Sequence, residues 1–168
     1  MRHFPIFRDL RGRRVVVSGG GETALAKLRL LLRTEARVAV YAAEPAQEIR
    51  GWAAAGRLTL TARPVAEGDA LCAALLVAAN ADAAEDARVA AIGRRAGALV
   101  NVVDDLEGSD FITPALVDRD PVTVAIGTEG AAPVLARRIK AETEARLDPT
   151  LGALARIGAA RRGDVAHL

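Results

Sequence analysis

The sequence predicts an α/β fold, a doubly wound parallel sheet followed by a small α+β region and C-terminal helices. Three observations predict it. Short β-branched or wholly apolar runs alternate with helical patterns from Arg14 to Val103, the rhythm of βαβ units. Three consecutive glycines, Gly19 to Gly21, join the first such run to the first helical pattern. After Asp104 the rhythm changes to two short strands and then helices.

Each element has its own signal. Arg14-Val15-Val16-Val17-Ser18 is a β-branched run. From Glu22 to Arg33, Leu25, Leu28, Leu31 and Leu32 are spaced for one helix face. Arg37 to Tyr41 reads as a second strand, Pro45 to Ala55 as a helix with proline near its start, and Leu58 to Thr61 as a third strand. Leu75 to Ala79 is fully apolar, as a strand buried on both faces must be. Asp82 to Ala96 reads as a helix and Ala98 to Val103 as another buried strand. Pro114 to Val117 and Val122 to Ile126 are expected as strands about the turn Asp118-Arg119-Asp120-Pro121. A helix from Pro133 to about Leu147 is broken by Asp148-Pro149, and a short helix is expected over Thr150 to Arg161. The expected division is residues 1–113, 114–148 and 149–168, the second part being too small to bury a core alone.

Composition narrows the class. The chain has 168 residues, 51% hydrophobic but only 3% aromatic, so Ala, Leu and Val must build the core. With 23 basic and 21 acidic side chains the net charge is +2, too balanced to argue for nucleic acid. Arg8, Arg11, Arg13 and Arg14 crowd the N-terminus and read as a solvated face. Cys72, the only cysteine, excludes an intrachain disulfide and reads as a small core residue rather than a nucleophile. His3 and His167 lie near opposite ends with no second ligand at metal-site spacing, so no metal site is expected. The first residues lack the apolar stretch of a signal peptide, and no apolar run reaches membrane-spanning length. A cytoplasmic protein without membrane partners is expected.

Gly19-Gly20-Gly21-Glu22-Thr23-Ala24 matches G-x-G-x-x-A directly after a strand and before a helix. Gly19 permits a tight turn, Gly21 lets a pyrophosphate approach the backbone, and Ala24 keeps helix and strand close. The helix N-terminus offers N–H groups and partial positive charge to phosphates. The bland alternative is a glycine turn without a ligand; strand, loop and helix in register favour a Rossmann-like dinucleotide site. At the ribose end, Ala43 and Glu44 follow the second strand, and Glu44 lies about 20 residues beyond the loop, where an acid holds a ribose hydroxyl. It is equally placed to cap the helix opening at Pro45. An exposed carboxylate there disfavours a 2′-phosphate, so NAD is expected over NADP. Tyr41 is an alternative lining for the adenine slot.

These and other segments together resemble the dehydrogenase/chelatase module of siroheme synthase. The resemblance rests on Phe4-Pro5-Ile6-Phe7 before Leu10-Arg11-Gly12-Arg13, the glycine loop with Ala24 and Lys27, and Asn101-Val102-Val103-Asp104. It continues through Phe111-Ile112-Thr113-Pro114-Ala115, Asp118-Arg119 and Pro133-Val134-Leu135-Ala136-Arg137, in the family's order, from Phe4 to about Arg162. The methyltransferase domain fused to this module in some members is absent, so a stand-alone form or a piece of a longer chain is expected. The resemblance implies a homodimer, NAD-dependent oxidation of precorrin-2 to sirohydrochlorin, and insertion of ferrous iron to give siroheme. It maps the residue serving both steps onto Asp104.

A carboxylate at the carboxyl end of a parallel strand faces the crevice where such sheets bind ligands. A partly desolvated position would help it take a proton. Without the resemblance, the plainer reading is that Asp104 caps a loop turn. A polycarboxylate substrate needs donors and positive charge, for which Arg119, Thr128, Arg137, Arg138 and Lys140 are candidates, with N–H groups around Gly127 to Gly130 as an anion nest. The loop departs from the family: Thr128 is its only hydroxyl, Glu129 adds negative charge, and Ala132 cannot cap the next helix. Two alternatives follow, a dehydrogenase without chelatase activity and a non-enzymatic NAD-sensing module. A generic small dehydrogenase is disfavoured by the lack of a Tyr-x-x-x-Lys pair.

Overall fold

A computed structural model describes residues 2–161. The expected helix over Thr150 to Arg161 falls within that range; His167 and the rest of the tail from Arg162 lie outside the described residues. The chain divides into two compact units, His3–Ile112 and the residues from Thr113 onward.

The first unit is a five-stranded parallel sheet in the order β3-β2-β1-β4-β5. Its strands are β1 (Arg14–Ser18), β2 (Arg37–Tyr41), β3 (Thr59–Thr61), β4 (Ala73–Ala78) and β5 (Leu99–Val102). The helices are α1 (Glu22–Leu31), α2 (Gln47–Ala54) and α3 (Ala83–Arg95), and a 3-10 turn at Glu67–Ala70 replaces a helix between β3 and β4. Because side chains alternate across a strand, neighbouring residues feed different cores. Val16, Leu76, Val100 and Val102 pack with Val89 and Ile92 of α3. Val17, Val38, Val40 and Val77 pack with Ala24, Leu25 and Leu28 of α1 and Ile49 of α2. Every residue of β4 is buried, which is why it reads as an unbroken apolar run.

The sheet runs outward in one direction from β1 to β3 and in the other through β4 to β5. That reversal of winding places a crevice at the carboxyl ends of β1 and β4, where open α/β sheets bind ligands.

Two expectations need correction here. Cys72 is exposed, not a core residue. The strand starts only at Ala73, and Cys72 occupies a turn with φ of 59°, which turns its side chain away from the sheet. Tyr41 is buried at 8% exposure, its hydroxyl accepting from Arg14 at 3.0 Å and its ring lying 5.2 Å from the Arg63 guanidinium. It belongs to a core cluster rather than to an open adenine slot.

The second unit holds an antiparallel hairpin, β6 (Ala115–Arg119) and β7 (Val122–Ile126), with α4 (Pro133–Arg146) and α5 (Leu151–Ala160). The hairpin turn is shorter than expected, because Asp118 and Arg119 pair with Thr123 and Val122 inside the ladder, leaving Asp120-Pro121 as the connection. Pro133 opens α4 without a side-chain cap from Ala132.

Candidate functional site

The crevice begins with the glycine loop. Gly19 adopts φ of 124° and lies against the Ala79 carbonyl and the Asn80 nitrogen, so a Cβ there would clash with backbone. Its N–H donates to the Tyr41 carbonyl at 2.9 Å, tying β1 to β2 where the chain leaves the sheet. Gly20 packs against the loop after β2, with Ala42, Glu44 and Pro45 as neighbours. Gly21 differs from both, since nothing lies within 4 Å of where its Cβ would be. It is the N-cap of α1, in extended backbone, and offers no side chain to the first N–H groups of the helix. Those donors therefore face open space, the arrangement that receives a pyrophosphate. Ala24 is fully buried between α1 and the sheet, as the motif requires.

Glu44 is exposed beside this loop and does not cap α2. The helix starts at Gln47 with Ala46 as its N-cap, too far along the chain for the Glu44 side chain to serve it. Of the two roles the sequence left open for Glu44, the capping one is not taken up. Ala43 is exposed beside it.

On the other side of the crevice, the chain leaving β4 bends at Asn80 and Ala81, the latter at φ of 57°. This bend is held by a network the sequence did not announce. Asp86, 5% exposed, accepts from the Asn80 N–H at 2.9 Å and the Asn80 side-chain amide at 2.7 Å. The Ser18 hydroxyl donates to Asn80 Oδ1 at 3.1 Å. A signal for Asp86 does exist: it stands three, four and seven residues before Val89, Ala90 and Gly93, on the buried stripe of α3. Asp82 caps α3 by accepting from Ala84 and Glu85 N–H groups at 2.9 and 3.1 Å.

Asp104 follows β5 in a left-handed turn, φ 63°. The loop beyond it folds back along the outer edge of β5. Asp110 pairs with both main-chain groups of Val100, Ser109 Oγ accepts from the Val102 N–H at 2.9 Å, and the Asn101 side chain donates to the Phe111 carbonyl. Arg94 of α3 secures this strap through Asp110 and the Gly108 carbonyl. The edge strand is thereby covered, and the turn bearing Asp104 is anchored at both ends. The turn-capping role open to Asp104 belongs instead to Asp105, which accepts from the Gly108 N–H at 2.8 Å.

A pocket of about 280 Å³ joins these parts, lined by Thr23 of α1, Asp82 and Asp86 of α3, and Val103, Asp104 and Asp105 after β5. Asp104 is exposed, contrary to the partly desolvated position expected of a proton acceptor, because the left-handed turn lifts it off the end of the strand. Lys27, one turn beyond Thr23, is half-buried. Burial pushes its ammonium below the ordinary lysine range, while the Asp104 carboxylate acts in the opposite sense. Among the described residues, no group of three or more His, Cys, Asp or Glu is arranged to hold a metal ion.

A family model described as "Putative NAD(P)-binding" matches residues 6–115. The chain belongs to that family. The match contains the glycine loop, Glu44 and Asp104, and the open cradle at Gly21 suits the group the family is described as binding. The chain is also 44% identical over 165 residues to a siroheme synthase of Chromobacterium violaceum, covering 98% of this chain and 35% of that protein. For a siroheme synthase of Ectopseudomonas mendocina the figures are 42% over 168 residues, 100% and 36%. The chain thus spans about a third of the length of these relatives. Among solved structures, "SirC, precorrin-2 dehydrogenase" matches with a TM-score of 0.77 and 29% identity, covering 99% of this chain and 82% of that one.

The remaining candidates lie in the second unit. Arg119 is already employed: its guanidinium donates to the Leu147, Glu144 and Asp118 carbonyls at 3.1 Å each. It closes the carboxyl end of α4 against β6, a structural task beside the substrate contact expected of it. Arg138 and Lys140 pair with Glu142 and Glu144 one turn along α4, and Arg137 donates weakly to the Pro133 carbonyl. Exposed helical pairs of this kind are worth only about 0.3–0.5 kcal/mol, so these cations are not committed. Thr128 is half-buried in the turn before α4, where its carbonyl accepts from the Ala131 N–H.

Proposed function

We propose that this chain oxidises precorrin-2 to sirohydrochlorin with NAD, and that ferrous iron is then inserted at the same pocket to give siroheme. One observation carries the reading: the Asp104 carboxylate lines the same pocket as Thr23, the residue that follows the glycine loop into α1. The names of the siroheme synthases and of the precorrin-2 dehydrogenase structure support it.

NAD would be held by Gly19, Gly20 and Gly21, by the N–H groups at Glu22 and Thr23, and by Ala43 and Glu44 at the ribose. Bound there, it supplies the acceptor for a hydride. The residues of this chain do the rest. The bend at Ala81, held by Asp86 and Asn80, shapes the floor of the pocket. Two electrons and one hydrogen nucleus leave the substrate as hydride, and the accompanying proton passes to an Asp104 carboxylate oxygen. A flat tetrapyrrole lying over the turn excludes water from Asp104, which supplies the desolvation the isolated carboxylate lacks. In metal insertion the same carboxylate would take the two pyrrole protons displaced by iron one after the other, releasing the first to water before it accepts the second. Thr128, Arg137, Arg138 and Lys140 are proposed to meet the carboxylate arms, and the protein is proposed to act as a cytoplasmic homodimer.

The test is anaerobic turnover of precorrin-2 with NAD, followed by absorbance, with ferrous iron added afterwards. Sirohydrochlorin formed only with NAD supports the dehydrogenase, and siroheme formed faster than without protein supports the chelatase. Oxidation without accelerated iron insertion leaves the dehydrogenase alone, a reading favoured by the exposed Glu129 in the loop before α4. Asp104→Asn suits the mutational arm because asparagine tolerates the left-handed backbone. It should bind NAD normally and lose turnover by about 100-fold or more; turnover at the unmutated rate would remove Asp104 from the chemistry, and NAD binding by the unmutated chain with no sirohydrochlorin formed would leave NAD sensing as the function.

A further inference from the structure

The pocket beside the glycine loop is lined by Asp82, Asp86, Asp104 and Asp105. Asp82, Asp104 and Asp105 are exposed, and water serves their free oxygens. Asp86 differs, being only 5% exposed. The two donors that reach its side chain, the Asn80 N–H and the Asn80 amide, meet the same oxygen, Oδ1, at 2.9 and 2.7 Å. Among the described residues no donor meets Oδ2, and the pocket is the space left to it. A buried carboxylate oxygen without a donor is costly. A bound group that brings an N–H to Oδ2 offsets that cost.

The place of the pocket in the sheet says which group comes there. Glu44 follows β2 on one side of β1, whereas the pocket, with Ala81 after β4 and Val103 after β5, lies on the other. A dinucleotide with its pyrophosphate at Gly21 and its adenosine ribose at Glu44 extends its other half toward β4 and β5. That half carries the nicotinamide. The hydride acceptor also belongs beside Asp104, because hydride and proton leave one substrate. The nicotinamide ring bears a single hydrogen-bond donor group, the N–H2 of its carboxamide.

We propose that Asp86 anchors the nicotinamide of the cofactor, its Oδ2 accepting a hydrogen bond from the carboxamide N–H2 while Oδ1 stays bound to Asn80. The proposal rests on the NAD reading of this crevice. One carboxylate then does two things, holding the bend at Ala81 and fixing the ring that this bend faces. It also selects. An amide gives the carboxylate a charge-assisted hydrogen bond. A ketone in its place leaves Oδ2 without a donor, and an acid adds a second negative charge as well.

The test measures, by calorimetry at neutral pH, the affinity of the full chain for three dinucleotides that differ only at this group. They are NAD, 3-acetylpyridine adenine dinucleotide, which has a neutral ketone, and nicotinic acid adenine dinucleotide, which has a carboxylate. The unmutated chain should bind NAD about tenfold or more tightly than either. Asp86→Asn keeps an oxygen for Asn80 and turns an N–H2 to the pocket, so the three should then bind within about threefold of one another. Each ratio is taken within one protein, and the unmutated chain alone tests the proposal should the variant fold poorly. Equal binding of NAD and the ketone by the unmutated chain overturns the proposal, even where the acid binds weakly, since a diffuse negative field acts on charge only. An unchanged preference in Asp86→Asn, with affinity lost for all three alike, also overturns it, being the behaviour of a merely structural aspartate. A chain that binds none of the three defeats the NAD reading itself, and the proposal with it.

Discussion

A Cβ on Gly20 would stand 2.7 Å from the Glu44 carbonyl oxygen, so the glycine loop and the loop after β2 are packed backbone to backbone. The Ala46 N–H donates to the Gly20 carbonyl at 2.9 Å across the same contact. The pyrophosphate end and the ribose end of the proposed NAD site are therefore one rigid piece. A change at either glycine has consequences that depend on what surrounds it.

Gly21→Ala should fold as well as the unmutated chain, since its φ of −93° suits any residue and its Cβ meets nothing. The methyl would occupy the space a pyrophosphate needs, and NAD affinity measured by calorimetry should fall by about tenfold or more. Gly20→Ala should instead destabilise the fold by roughly 1–3 kcal/mol through overpacking, read from urea unfolding. Equal stability losses in both variants would contradict this division of roles.

Glu44 is exposed and free of a capping duty, so its carboxylate is available to repel a 2′-phosphate. Glu44→Gln should narrow the preference for NAD over NADP by about fivefold, the effect of roughly 1 kcal/mol between charges about 4 Å apart in water. Titrating both cofactors into both proteins checks it, and an unchanged ratio places the ribose elsewhere.

Arg119→Met removes three donors from the carbonyls at the end of α4 and in β6. The expected cost is about 2 kcal/mol, seen in urea unfolding and in faster amide exchange over α4. Calorimetric affinity for NAD should not change, because the cofactor residues belong to the other unit.

Asp69 provides a pH signature. Hydrogen bonds from Arg63, joined by one from the Ala66 N–H, hold its carboxyl down from an ordinary 3.8 to about 2. A depressed folded-state value means the stabilisation is complete above pH 3.8 and is lost as pH falls through about 2. Asp69→Asn should therefore be less stable at neutral pH and show a shallower loss between pH 4 and pH 2 in acid-unfolding curves.

Much of this was legible in the chain because local rules and burial agree. The β4 run is apolar throughout because helices cover both faces of that strand, and Gly19 is glycine because its backbone is left-handed against Ala79. The resemblance picked out Asp104 while spacing alone left it a turn cap. Asp105 takes the cap because it, rather than Asp104, lies within reach of the Gly108 N–H. Cys72 was misread because an apolar run does not reveal where its strand begins.

The sequence by itself determined the order of strands and helices, the glycine loop and its place between β1 and α1. Those depend on periodicity and on backbone freedom, which neighbours along the chain dictate. Only the tertiary structure decided that Arg119 closes a helix and that Asp86 is buried under Asn80. A charged side chain looks the same in sequence whether it meets water or another element, and its partner here is set by packing between residues 6 apart for Asp86 and Asn80 and 28 apart for Arg119 and Leu147.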